Sequence, residues 1–198
     1  MPRSLLLPLV CAAALVLAPQ AQAYPVRVTS VPQVDLSRYL GKWYEIAALP
    51  MFFQRNCVGD TTAEYSLNGD GSVAVHNRCR TKDGVNEAKG RATVLPKSGN
   101  ARLEVSFFWP FKGDYWVIGL DPEYRWALVG QPSRKYLWLL SRTPQLPQAD
   151  IDKALGIAVS QGYLLRELKF TPQTPPPAAP VPAPEGTPEN SPAAPEAK

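Results

Sequence analysis

The chain has 198 residues, 45% of them hydrophobic and 19% charged, with a formal charge of +4. That is enough for one domain with a core of its own, and it is not the composition of a repeat array or a coiled coil. Lys and Arg alternate with acids, as along Glu87-Ala88-Lys89-Gly90-Arg91-Ala92, which is the wet face of a strand and not the basic stripe that nucleic acid requires.

Residues 1–23 combine Arg3, an apolar run from Leu5 to Leu17 and an Ala21-Gln22-Ala23 box, the layout of a secretory leader cleaved before Tyr24. The run is shorter than the ~20 residues of a membrane helix, and no later stretch approaches that length. The mature chain is therefore expected to be soluble, and losing Arg3 lowers its charge from +4 to +3. Cys11 lies inside the leader, but Val10 stands where a lipid-attachment box wants Gly, Ala or Ser, so free export is expected over acylation at Cys11. Cleavage leaves Cys57 and Cys79, an even count in an exported chain, which favours a disulfide over a metal pair or a catalytic thiol. Such a bond closes a loop of roughly twenty residues, worth about 3 kcal/mol in chain entropy.

Tyr24 to Pro32 reads as an extended lead, and Val34 to Leu40 as a helical turn started by Asp35 or Ser37. A strand is expected from Gly41 to Leu49, then an apolar loop with Phe52 and Phe53. Thr61 to Leu67 alternates, with Ala63, Tyr65 and Leu67 on one face. Asn68-Gly69-Asp70-Gly71 is a hairpin turn, because these residues accept positive φ. Strands follow over 72–80 and 87–95, the latter presenting Ala88, Gly90, Ala92 and Val94 inward, small residues that leave room. The next strand places Leu103, Val105 and Phe107 on one face and ends in the apolar Phe108-Trp109-Pro110-Phe111. Strands over 114–120, 125–130 and 135–141 complete eight short strands at regular spacing, the pattern of an antiparallel barrel or sandwich. Between 148 and 161, Ile151, Leu155 and Ala158 fall at helical spacing, and a last strand is expected over 163–170. From Thr171 to Lys198 prolines abound and large apolar residues are nearly absent, the composition of a disordered tail.

Three stretches in order carry a resemblance. Asp35-Leu36-Ser37-Arg38-Tyr39-Leu40 leads into Gly41 and Trp43-Tyr44-Glu45-Ile46-Ala47; Gly119-Leu120-Asp121-Pro122-Glu123-Tyr124 follows; Leu139-Leu140-Ser141-Arg142-Thr143-Pro144 closes the set. Together they resemble the lipocalins, and more closely the bacterial Blc-type lipocalins, from Val34 to Phe170. The resemblance implies an all-β fold: an eight-stranded antiparallel up-and-down barrel with one C-terminal helix packed outside, a domain over 24–170 and the Pro-rich tail over 171–198. It implies structural roles for Gly41, Trp43, Asp121, Tyr124 and Arg142, with Arg142 laid over Trp43 at the closed end as a cation–π contact of about 0.5–2 kcal/mol.

A barrel of this size encloses side chains or one small ligand. If the topology is lipocalin-like, Phe52, Phe53, Trp109 and Phe111 fall in loops at the open end, either packed on each other or forming an apolar rim, while Tyr65, Phe107, Tyr115 and Trp138 line the interior. The expected ligand is a fatty acid or lysophospholipid, carried or stored in the periplasm or at the outer membrane of a Gram-negative bacterium, in the service of membrane maintenance under stress. Arg55 or Arg134 could hold its head group. Peripheral membrane association and a homodimer are the expected partnerships, with no nucleic acid, cofactor or metal. His76 is the sole histidine, and no Ser-x-x-Lys, Gly-x-Ser-x-Gly, zinc or phosphate-loop pattern occurs, so a binder is expected over an enzyme. The alternatives are a scavenger of a compact pigment or haem, and a lipocalin-fold enzyme.

Overall fold

A computed structural model describes residues 26–175; residues 1–25, with the expected leader and Cys11, and the chain beyond 175 lie outside the described residues. The strands are β1 (Gly41–Ala48), β2 (Gly59–Leu67), β3 (Val73–Arg80), β4 (Val85–Val94), β5 (Arg102–Phe108), β6 (Phe111–Leu120), β7 (Trp126–Gly130), β8 (Trp138–Ser141) and the short β9 (Lys169–Phe170), with helices α1 (Leu36–Tyr39) and α2 (Gln148–Ser160). Each of β1 to β8 runs antiparallel to the next, and β1 pairs with both β2 and β8, which closes the barrel.

Local chemistry explains the joints. Asp35 caps α1 by accepting from the Ser37 backbone N–H at 2.9 Å and from its hydroxyl at 2.6 Å. Gly71 takes φ +80° in the hairpin between β2 and β3, where a side chain would be strained. Cys57 and Cys79 form the expected disulfide and tie the β1–β2 loop to β3.

Two cores result, one on each side of the barrel wall. Inside, Trp43, Ala63, Tyr65, Val75, Ala92, Leu103, Val117, Val129 and Leu140 pack together above the α1 plug. Outside, Ile151, Ala154 and Ala158 of α2 bury against Ile118, Trp126, Leu128 and Leu139. β8 is therefore apolar on both faces, as its sequence requires.

Four expectations change. β8 begins at Trp138 and not Lys135. Of 163–170 only Lys169–Phe170 pairs as strand, and Tyr163 instead packs into the outer core: the Gln131 N–H donates to its hydroxyl at 2.8 Å, and the hydroxyl donates to Gln131 O at 2.9 Å. Leu67, assigned inward by alternation, ends β2 at the hairpin and is 57% exposed. Ala88, also assigned inward, is exposed because the first half of β4 stands clear at the open end.

The gap that opens between β1 and β2 is filled from an unexpected source. The β1–β2 ladder stops at Tyr44↔Thr62, and residues 171–174, tail by composition, lie across the opening. Thr171 N–H donates to Ile46 O at 2.9 Å, the Gln173 amide donates to Glu45 O at 2.8 Å and to Thr61 O at 3.0 Å, and Asp60 N–H donates to Pro172 O at 2.8 Å.

Candidate functional site

The two ends of the barrel differ. At the closed end the Arg142 guanidinium carbon stands 3.7 Å from the centroid of the fully buried Trp43 ring, whose indole N–H donates to Tyr39 O at 2.8 Å. Arg142 donates to Lys42 O at 2.9 Å and Arg38 O at 2.5 Å, and its burial pulls the guanidinium below its ordinary pKa. A Cβ on Gly41 would come within 3.7 Å of this guanidinium, and Gly41 takes φ +87°. Asp121 accepts from the Arg125 guanidinium at 2.8 and 3.0 Å, and the Tyr124 hydroxyl accepts from the Asp35 N–H at 2.9 Å. These five motif residues thus build and brace the floor.

Above the floor, three phenols converge. The Tyr115 hydroxyl lies 2.8 Å from that of Tyr39 and 2.9 Å from that of Tyr65. Burial raises all three pKa values, that of Tyr65 to about 12, so they remain protonated at neutral pH. Tyr65 and Tyr115 were expected in the lining; Tyr39, read as part of the plug, was not, since nothing in its spacing reveals that its ring reaches 5.8 Å from that of Tyr65.

Val94, Val105, Phe107, Tyr115 and Trp138 pack against the inner core while only partly buried. The room expected along β4 is partly taken: a Cβ on Gly90 would stand 2.8 Å from Phe107 Cδ1, so that ring occupies the space the glycine yields. Glu45 also faces inward, in register with Leu140, and is 6% exposed. Desolvation raises its pKa, opposed by hydrogen bonds donated by the Thr171 hydroxyl at 2.5 Å and the Gln54 amide at 2.9 Å. Its parity with Trp43 is legible in the sequence, but its burial is not, because nothing local reveals the Thr171 and Gln54 donors that satisfy it.

The open end carries the other predicted residues. Trp109 is 90% exposed, Phe111 76% and Phe52 70%, and Phe108 stands beside them at 78%. Phe52 and Phe53 pack edge-on with centroids 5.3 Å apart, and Phe53 meets Tyr136 at 5.4 Å. The packing alternative therefore describes the Phe52–Phe53 loop, while the β5–β6 hairpin projects its aromatics into solvent. Arg55, Lys82, Lys112 and Lys135 are exposed around the same end. Arg134 is not available for a head group: its Nε donates to Gln161 O at 2.7 Å and a terminal nitrogen donates to Val26 O, which commits it to the end of α2.

His76 sits outside the barrel wall, 3.1 Å from the Glu87 carboxylate, within a charged neighbourhood that includes Arg78. A surface groove of about 650 Å³ runs along this outer face, lined by Lys42, Glu64, His76, Arg78 and Arg80 among others.

The sequence over residues 34–173 matches the Lipocalin-like domain model. The chain belongs to the lipocalin family. This lipocalin is 44% identical to the outer membrane lipoprotein Blc of Escherichia coli K12 over 163 residues, covering 80% of the chain and 92% of that relative. It is 42% identical to temperature-induced lipocalin-1 of Arabidopsis thaliana over 156 residues, covering 74% and 84%. Among solved structures it resembles insecticyanin from the tobacco hornworm Manduca sexta with a TM-score of 0.62 at 21% identity, covering 75% of this chain and 86% of that one, a likeness of fold.

Proposed function

We propose that this lipocalin binds a single-chain amphiphile, a fatty acid or lysophospholipid, inside its barrel and carries or stores it in the cell envelope, serving membrane maintenance under stress. One observation carries the reading: the barrel end above an apolar inner wall, whose side chains there are only partly buried, is ringed by exposed aromatics. Phe107, Tyr115 and Trp138 would line the ligand's path, Tyr65 its deep end, and Phe52, Phe53, Trp109 and Phe111 the entrance. Bacterial relatives named outer membrane lipoproteins support an envelope location, as does the leader-like amino terminus.

The aromatic rim, with Arg55, Lys82, Lys112 and Lys135 near it, suits transient contact with an anionic bilayer from which the ligand is taken. We read the protein as a binder and not an enzyme: its one histidine is on the outer face, paired with Glu87, which also removes a histidine-ligated haem from the interior.

Titration of the purified protein with lysophosphatidylcholines of increasing chain length tests this reading. Each buried methylene contributes about 0.8 kcal/mol, so affinity rises roughly fourfold per carbon until the interior is full. Affinity independent of chain length would defeat it.

A further inference from the structure

The tyrosine cluster at the floor has one proton too many. Three phenols bring three hydroxyl protons, and the two O···O contacts, Tyr39–Tyr115 at 2.8 Å and Tyr65–Tyr115 at 2.9 Å, use two of them. Whichever way the hydroxyls turn, one proton is left, and among the described residues no acceptor for it is found. Tyr39 and Tyr65 are 5% and 7% exposed and Tyr115 is partly buried, so the donor sits at the base of the interior with little access to bulk water. A buried donor with no acceptor costs free energy until something supplies one.

The charge beneath the cluster points the same way. Arg142 lies under this floor, stacked on Trp43, whose ring centroid is 5.0 Å from that of Tyr39. Its guanidinium bonds are to backbone carbonyls, and among the described residues it pairs with no carboxylate. A cation without a counter-ion below and a spare O–H above make a site complementary to an anionic oxygen.

We propose that the Tyr39–Tyr65–Tyr115 cluster is a carboxylate seat that accepts a free fatty acid head first, with its tail running up past Phe107 and Trp138 to the aromatic rim. The inference rests on the reading that acyl chains enter the barrel, and adds their direction and head-group chemistry. A lysophospholipid, whose bulky head cannot reach the floor, would enter tail first and leave the spare proton unmet. Free fatty acid is therefore preferred over its methyl ester of equal length.

Two experiments on the mature protein decide it. Stearate carrying a nitroxide at carbon 5 should broaden the indole N–H resonance of Trp43, while the label at carbon 16 should broaden that of Trp109 at the rim. The reverse pattern places the tail at the floor and overturns the proposal; broadening of neither indole by either label means that no chain enters, which defeats the binding reading itself. In the second, the ratio of palmitate to methyl palmitate affinity is compared in wild type and in the triple variant Tyr39→Phe/Tyr65→Phe/Tyr115→Phe, which removes every hydroxyl of the cluster, with circular dichroism reporting the fold. The ratio should fall about tenfold, and a ratio unmoved in the folded variant overturns the seat.

Discussion

Arg142 lies over Trp43, its guanidinium carbon 3.7 Å from the ring centroid, although the two residues come from opposite ends of the barrel's sequence. One residue lies in β1 and the other follows β8, so the contact fastens the first strand to the last at the barrel's floor.

Truncating Trp43 to Ala should cost about 3–5 kcal/mol, the range for a fully buried large aromatic. Arg142→Lys keeps the charge but loses the planar stack and one of the two carbonyl contacts, and should cost about 1–2 kcal/mol. Urea unfolding checks both; an Arg142→Lys midpoint equal to wild type would show that the stack contributes nothing.

Glu45 gives the fold a pH dependence of definite sign. Burial raises its folded pKa above the ordinary 4.5, so the folded chain holds this proton more tightly than the unfolded chain does. This contribution is fully present below pH 4.5 and is lost as pH rises through the folded value. Glu45→Gln, which cannot ionise, should show a flatter stability profile, its difference from wild type growing with pH across that window. Parallel profiles in urea titrations at several pH values would contradict the assignment.

Gln173 closes the seam that β1 and β2 leave open, one amide serving two backbone carbonyls on different strands. Gln173→Ala should destabilise by about 1–2 kcal/mol and raise amide hydrogen exchange in both strands near Glu45 and Thr61. Exchange unchanged there would mean that the segment merely rests on the barrel.

Trp109, 90% exposed, tests the entrance. Its fluorescence should shift to the blue on vesicles rich in anionic lipid and not on neutral ones. Trp109→Ser should weaken vesicle sedimentation by about tenfold, the scale of losing one interfacial aromatic, without lowering thermal stability. Equal sedimentation of the two proteins would remove the rim from membrane contact.

Much of this molecule was legible in its residue order. Alternation assigned Ala63, Leu103, Val105 and Phe107 to one face of their strands, the inner one, because a strand's side chains must point to opposite sides. Turn glycines and the three motifs fixed the strand count and closure. What only the tertiary structure decided were the meetings of distant polar groups: the convergence of three hydroxyls from α1, β2 and β6, the commitment of Arg134 to Gln161 and Val26, and the docking of Gln173 across a seam 112 positions away from Thr61. Periodicity tells which way a side chain points. Whom it meets depends on register, bulges and the curvature of the closed sheet, which no local pattern contains.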